Sequence, residues 1–128
     1  MIIYHAARRR RTAYAIVKEM LLGFGRNVAG GEYAHVSLTP FQPGNLALNV
    51  IAHDTNQAYI FKLKVADDIQ LEDDPSDESD YYGGGWKVST EPIPIQKIIS
   101  ITEVPNVINW ERGIGSERNL RRPWFKGK

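Results

Sequence analysis

Ala58-Tyr-Ile-Phe-Lys-Leu-Lys-Val65 runs directly into Ala66-Asp-Asp-Ile-Gln-Leu-Glu-Asp-Asp-Pro75. In the first part Tyr59, Phe61, Leu63 and Val65 alternate with Lys62 and Lys64, the period-two pattern of a strand with one face buried. In the second part the apolar alternation gives way to carboxylates. Asp67 to Gly85 reads as one long acidic loop that ends in three glycines, with Tyr81, Tyr82 and Trp86 around it. Loops of that length inside a compact domain are functional or disordered.

Outward from this strand, Met1 to Ala6 is an apolar run that suits a buried strand. Glu32 to Thr39 reads as another, with Tyr33, His35, Ser37 and Thr39 on one face and Ala34, Val36 and Leu38 on the other. Trp86–Ser89 and Ile93–Val104 read as two more, separated by Glu91-Pro92. Thr12 is placed to cap a helix reaching about Phe24, whose buried face is Ala13, Val17, Met20, Leu21 and Phe24, with Gly23 and Gly25 ending it. Gly44–Asp54 fits either a helical face or strand alternation into a hairpin. Strands predominate and no βαβ alternation occurs, so the expected class is α+β with mostly antiparallel strands.

At 128 residues the chain suits a single domain, 1–128. Apolar residues at 42 % and charged residues at 24 % are ordinary globular composition. Sixteen Lys and Arg against fifteen Asp and Glu leave a net charge of +1. That balance removes the whole-chain electrostatic case for nucleic acid or a membrane surface, so neither is an expected partner. No stretch approaches the roughly 20 apolar residues of a membrane span, and the N-terminus lacks the form of a secretory signal. The expected setting is the cytoplasm. With no cysteine, disulfides, thiolate metal sites and cysteine nucleophiles are excluded.

The charge is segregated. Residues 1–26 hold six basic side chains and one acid, residues 67–80 hold eight acids and no base, and the tail from Glu111 is basic again. Such blocks form solvated surfaces or line a site. Glu72, Asp73 and Asp74 directly follow a buried strand and repel one another, which perturbs the titration of at least one. His5 sits inside an apolar strand, where a histidine serves as a structural hydrogen-bonding group or as a site residue. His5, His35 and His53 lack the spacing of a metal site, so no metal is expected. The aromatic and basic tail, 105–128, either clamps nucleic acid or folds over the acidic loop, and the latter is favoured.

Four segments, in order, resemble the rifampin ADP-ribosyltransferases. The run Tyr59 to Pro75 is similar to the family segment that ends in the same Glu-Asp-Asp-Pro. Ser89-Thr-Glu-Pro-Ile93 resembles its Arg-Glu-Pro strand, Ala34-His-Val-Ser-Leu-Thr39 its hydrophobic-Tyr-hydrophobic-Thr strand, and Ile3-Tyr-His-Ala-Ala7 its opening His-Gly-Thr strand. Together they cover about residues 1–104. The resemblance implies an ADP-ribosyltransferase-like fold, two small, mostly antiparallel sheets around an NAD cleft with one or two flanking helices. It tips residues 43–53 toward helix. The implied activity is a nucleotide-binding glycosyltransferase that moves ADP-ribose from NAD, its co-substrate, to an acceptor, a small molecule or a protein, and releases nicotinamide. His5, Asp74 and Glu91 would be the catalytic residues, with His5 orienting ribose and Asp74 stabilising the developing oxocarbenium. His5, Ala6, Arg8, Tyr33, Ser37 and Thr39 would line the cofactor site. Ser37 stands where the family has a stacking tyrosine, and Ala6-Ala7 stands for Gly-Thr. These departures define the alternative, an inactive relative that binds a nucleotide or a host protein.

Overall fold

A computed structural model describes residues 1–23, 34–74, 86–121 and 124. Tyr33, Tyr81, Tyr82, the three consecutive glycines, and Asp77, Glu78 and Asp80 of the acidic run lie outside them. Among the described residues, nine strands and three helices follow the order β1 (Ile2–Ala7), α1 (Arg10–Glu19), β2 (Leu21–Leu22), β3 (Ala34–Ser37), α2 (Ala47–Ile51), β4 (Ala58–Lys64), β5 (Leu71–Asp73), β6 (Trp86–Ser89), β7 (Ile93–Pro94), β8 (Lys97–Val104), α3 (Val107–Glu111) and β9 (Arg118–Asn119). Seven strands form one antiparallel sheet in the order β5-β6-β3-β1-β4-β8-β9, and β2 and β7 form a separate two-stranded sheet. The class is therefore α+β and antiparallel. The described strands are divided seven and two, one large sheet and one small one, where two small sheets were expected.

The alternation read in Ala58–Val65 sets the layers. Phe61 lies opposite His5 on β1 and Ile101 on β8, so the odd positions of β1 and β4 share one face. Ile3, Val36, Phe61, Leu63 and Ile101 on that face are buried against Ala13, Ile16 and Val17 of α1 and against Leu22, Ile93 and Ile95. Among the described residues a second hydrophobic cluster covers one end of the opposite face. There Leu48 of α2 and Ala52 at its C-terminal end, with Val107 and Trp110 of α3, close over Ala58 and Val104, with Ala6 and Ile60 beside them. Asn56 stitches this lid to the sheet: its Nδ2 donates to Asn106 Oδ1 at 3.2 Å and its Oδ1 accepts the Ile108 amide at 3.0 Å.

Several boundaries differ from the sequence reading. The helix begins at Arg10 after an Arg9 cap that makes no side-chain hydrogen bond, not at Thr12, and it ends at a left-handed Met20 with φ 52°. Leu21 and Leu22 leave the helical pattern to pair with Pro94 and Ile93, because that position buries Leu22 completely. Residues 47–51 are helical, not a hairpin strand. The acidic segment is not loop throughout: Leu71–Asp73 add an edge strand to β6. Whether the tail folds over the acidic loop falls largely on residues outside those described. The described part of the tail forms α3 and β9, and Trp124 stacks on Tyr14 of α1, ring centroids 4.5 Å apart, and on Tyr59 of β4 at 6.1 Å.

Phe61 is the largest fully buried side chain and supports His5 from the neighbouring strand. Phe61→Ala is expected to cost about 3–5 kcal/mol in urea unfolding, whereas Ile114→Ala, at a position 73 % exposed, changes stability by less than about 0.5 kcal/mol.

Candidate functional site

β1 and β3 are ladder partners at Tyr4 and Ser37. Beside that point the His5 ring continues the contact between the strands: its Nδ1–H donates to the His35 carbonyl at 2.8 Å. A carbonyl oxygen only accepts, so the proton sits on Nδ1 and Nε2 carries the lone pair of the neutral ring. Burial lowers the His5 pKa below the ordinary 6.5, the carbonyl bond partly opposes this, and the nearby His35 lowers it further. At neutral pH His5 therefore presents an uncharged Nε2.

The His35 side chain leads from His5 to the acid. Its Nδ1 bonds Asp74 Oδ2 at 3.1 Å, and the two side chains are 54 % and 3 % exposed. An accessible imidazole thus sits over a carboxylate removed from water. Asp74 is held there by strand geometry. Its amide donates to the Trp86 carbonyl at 3.3 Å, which extends the β5–β6 ladder by one residue.

This placement sorts the three adjacent carboxylates. Alternation along β5 sends Asp73 to the face opposite Glu72 and Asp74. Asp73 lies across from Lys87 and bonds its ammonium, which holds the Asp73 carboxyl below its ordinary range. Glu72 is exposed, and Asp74 is tied to His35. Repulsion within the run is thereby relieved by geometry, with separate partners for Asp73 and Asp74.

The other expected site residues are distributed unevenly. Ser37 is buried, and its hydroxyl donates to the Thr39 carbonyl at 2.6 Å while accepting the Thr39 amide at 3.1 Å. Ser37 and Thr39 satisfy each other. Ala6 packs beneath the second core. Arg8 is engaged with Asp54 at 2.9 Å, and Arg9 lies 3.8 Å from the same carboxylate. Glu91 is exposed in the connection between β6 and β7 and joins none of these hydrogen bonds. Tyr33 lies outside the described residues. Arg8 and Glu91 lie away from the other expected site residues. By register His5 lies on the face of Phe61, whereas the His35 and Asp74 side chains lie on the face of Ser37; His5 and Asp74 are joined through the backbone and ring of His35 rather than brought into one pocket.

The residue that links them, His35, was missed. Its signal was the strand alternation that put it on the face of Ser37, and a search for metal spacing passed over it. Among the described residues no group of three His, Asp or Glu side chains is close enough to hold a metal ion, and no described helix is long and apolar enough to cross a membrane. Comparison with protein-family models, curated proteins and solved structures gives no match.

The His5 shift has a definite sign. Below pH 6.5 the unfolded chain takes up a proton at this residue that the folded chain resists, so stability is full above 6.5 and falls as pH drops toward the lower folded pKa. Proton NMR is expected to show the His5 Cε1–H titrating below 6.5. His5→Gln is expected to flatten the loss of stability that sets in as pH falls below 6.5.

Proposed function

We propose that this chain is an NAD-dependent ADP-ribosyltransferase, working in the cytoplasm, that moves ADP-ribose to an acceptor and releases nicotinamide. The observation that carries this reading is Asp74, a carboxylate 3 % exposed, fixed by His35 and linked through it to His5. The order of the four family-like segments supports the same reading.

The chemistry fits such a group. The bond between C1′ of the ribose and N1 of nicotinamide breaks, its electron pair leaves with nicotinamide, and positive charge develops on C1′ and the ring oxygen. A preorganised carboxylate shielded from water stabilises that charge more in the transition state than in the substrate. His5, neutral and fixed through Nδ1, offers Nε2 as an acceptor for a ribose hydroxyl. An acceptor hydroxyl then forms the new bond to C1′ and releases its proton, and His35, the exposed imidazole of the cluster, is suited to receive it.

Two features favour the second reading, an inactive nucleotide-binding relative. Arg8 is committed to Asp54 rather than free for a pyrophosphate, and Ser37 is closed on Thr39. Incubation with NAD separates the two. Under the first reading nicotinamide accumulates, Asp74→Asn slows its release about 100- to 1000-fold, and the fold is retained. Saturation transfer from the protein to NAD without any nicotinamide establishes the second. If release is equal in wild type, Asp74→Asn and His5→Gln, the assignment of these residues is wrong.

A further inference from the structure

β8 is paired on both sides for only part of its length. β4 accompanies it throughout, whereas β9 meets it at Thr102 and Glu103, and the Leu120 amide closes on the Ile101 carbonyl. Among the described residues nothing pairs with the outer edge of β8 from Lys97 to Ser100. We infer that this edge, with Lys62 and Lys64 beside it on β4, docks an extended acidic segment of a partner protein as an added strand. That role is independent of NAD cleavage.

The charge comes first. Alternation puts Lys62 and Lys64 on one face of β4, and Lys64 lies directly across from Lys97. Like charges in that position destabilise a sheet. Lys64 and Lys97 are exposed and Lys62 is half-buried. Among the described residues none of the three ammonium groups holds a hydrogen bond or ion pair. Ile2 and Tyr4 on β1 and Ser100 on β8 lie across from Lys64 and Lys62, and none of them is an acid. Glu72 and Asp74 share this face but sit on and just after β5, four strands from β4 or about 19 Å. Asp67 feels the Lys64 charge, but its carboxylate is bound to the Met1 amino group. A lysine on an edge strand turns neutral strands away, which accounts for Lys97. Lys62 and Lys64 belong to an inner strand, where they protect no edge and only add repulsion. Carboxylates laid over the three relieve it.

The open edge decides the kind of partner. Backbone N–H and C=O groups along a strand edge match another extended backbone, which a nucleic acid does not offer. Lys62 opposes Ser100 and Leu63 opposes Ile98, so Ile99 is the extra residue of a β-bulge. A bulge re-aims a side chain at a sheet edge, and here it leaves Ile99 38 % exposed beside the lysines. Side chains of an added strand alternate between the faces. One set meets Lys97 and Lys64, and the other falls beside Ile98, which is partly buried against the first core. The segment that fits therefore alternates acidic with apolar residues. β5 of a second copy does not supply it, because Asp73 is held by Lys87 and Asp74 by His35.

The test is fluorescence anisotropy of a short labelled peptide that alternates glutamate with valine, titrated with the whole chain at about 10 mM and about 100 mM salt. Binding is expected, weaker at the higher salt. Lys64→Ala and Lys97→Ala each weaken it about two- to fivefold, the effect of one exposed ion pair. Lys97→Glu weakens it further while its urea midpoint does not fall, since the pair with Lys64 becomes attractive. Lys18→Glu, the same charge change on the exposed side of α1, leaves binding unchanged. The triple variant Lys62→Glu, Lys64→Glu, Lys97→Glu binds a peptide alternating lysine with valine instead, an inversion that a misfolded chain does not show. The proposal is overturned if the glutamate peptide fails to bind at about 10 mM salt, or if Lys97→Glu and Lys18→Glu act alike. It is equally overturned if the same peptide N-methylated along one edge, or a peptide with its glutamates in one block, binds as well. Oligothymidylate competing as well as the peptide marks a general polyanion surface, and dimers of the chain that Lys97→Glu dissociates mark a second copy as the occupant; either result also overturns it.

Discussion

The register between β1 and β4 is the constraint on which the rest of this molecule depends. It holds over six consecutive pairs, from Ile2 opposite Lys64 to Ala7 opposite Tyr59. Because side chains alternate with period two, this register decides at once what is buried and what is presented. Ile3, Phe61 and Leu63 go to the core, and Tyr4 and Lys62 go to the other face. A slip of one residue would bring the lysines into the core and Phe61 to water, so the register is strongly specified. With β1 and β4 fixed, the single pairing of Tyr4 with Ser37 fixes β3, and β3 fixes β6 and then β5. Asp74 and His5 are 69 residues apart in number, and their relation is inherited through three successive strand pairings, β1 with β3, β3 with β6 and β6 with β5.

That inheritance explains why the cluster is rigid without contact between its outer members. His5 does not touch Asp74. The His5 ring holds the backbone of His35, and the side chain of His35 holds Asp74. One residue therefore reports on both sides. His35 has its carbonyl toward β1 and its imidazole toward β5, which a central position between β1 and β6 makes possible. A charge-assisted bond to a carboxylate with so little exposure is stronger than the same bond in water, and loss of the imidazole would leave Asp74 buried without that partner. His35 is thus at once the strut of the site and its most accessible polar group.

Much of the scaffold was legible because it rests on local alternation. Ala58–Val65, Met1–Ala6 and Trp86–Ser89 each carry their own face pattern, and each became a strand. The failures share a different cause. Leu21 and Leu22 satisfy helical spacing, but complete burial of Leu22 against β7 outweighs the extra turn. Leu71–Asp73 looked like loop because two of its three residues are charged. An edge strand is completed by backbone hydrogen bonds to β6, to which side-chain hydropathy is blind. At the site, His5 and Asp74 stood out through motif resemblance, while His35 did not, since its importance lies in which strands flank it.

Charge follows the same logic of faces. Summed over the chain it nearly cancels, and the sum says nothing about any surface. On β4 the two lysines of Phe-Lys-Leu-Lys share one face because of alternation alone. On β5 the same alternation separates Asp73 from Asp74 and gives Asp73 to Lys87. The sheet thereby carries a buried acid near one edge and, toward the other, three lysines that hold no ion pair among the described residues, with Tyr4, Ser37 and Trp86 between them. A surface graded in this way orients any ligand that has a cationic or electron-poor part and an anionic part, because reversing the ligand would place like charges together at both ends. The gradient is a property of register rather than composition, so it persists under any surface substitution that preserves the β1–β4 pairing and the sign of charge at positions 62, 64, 74 and 97.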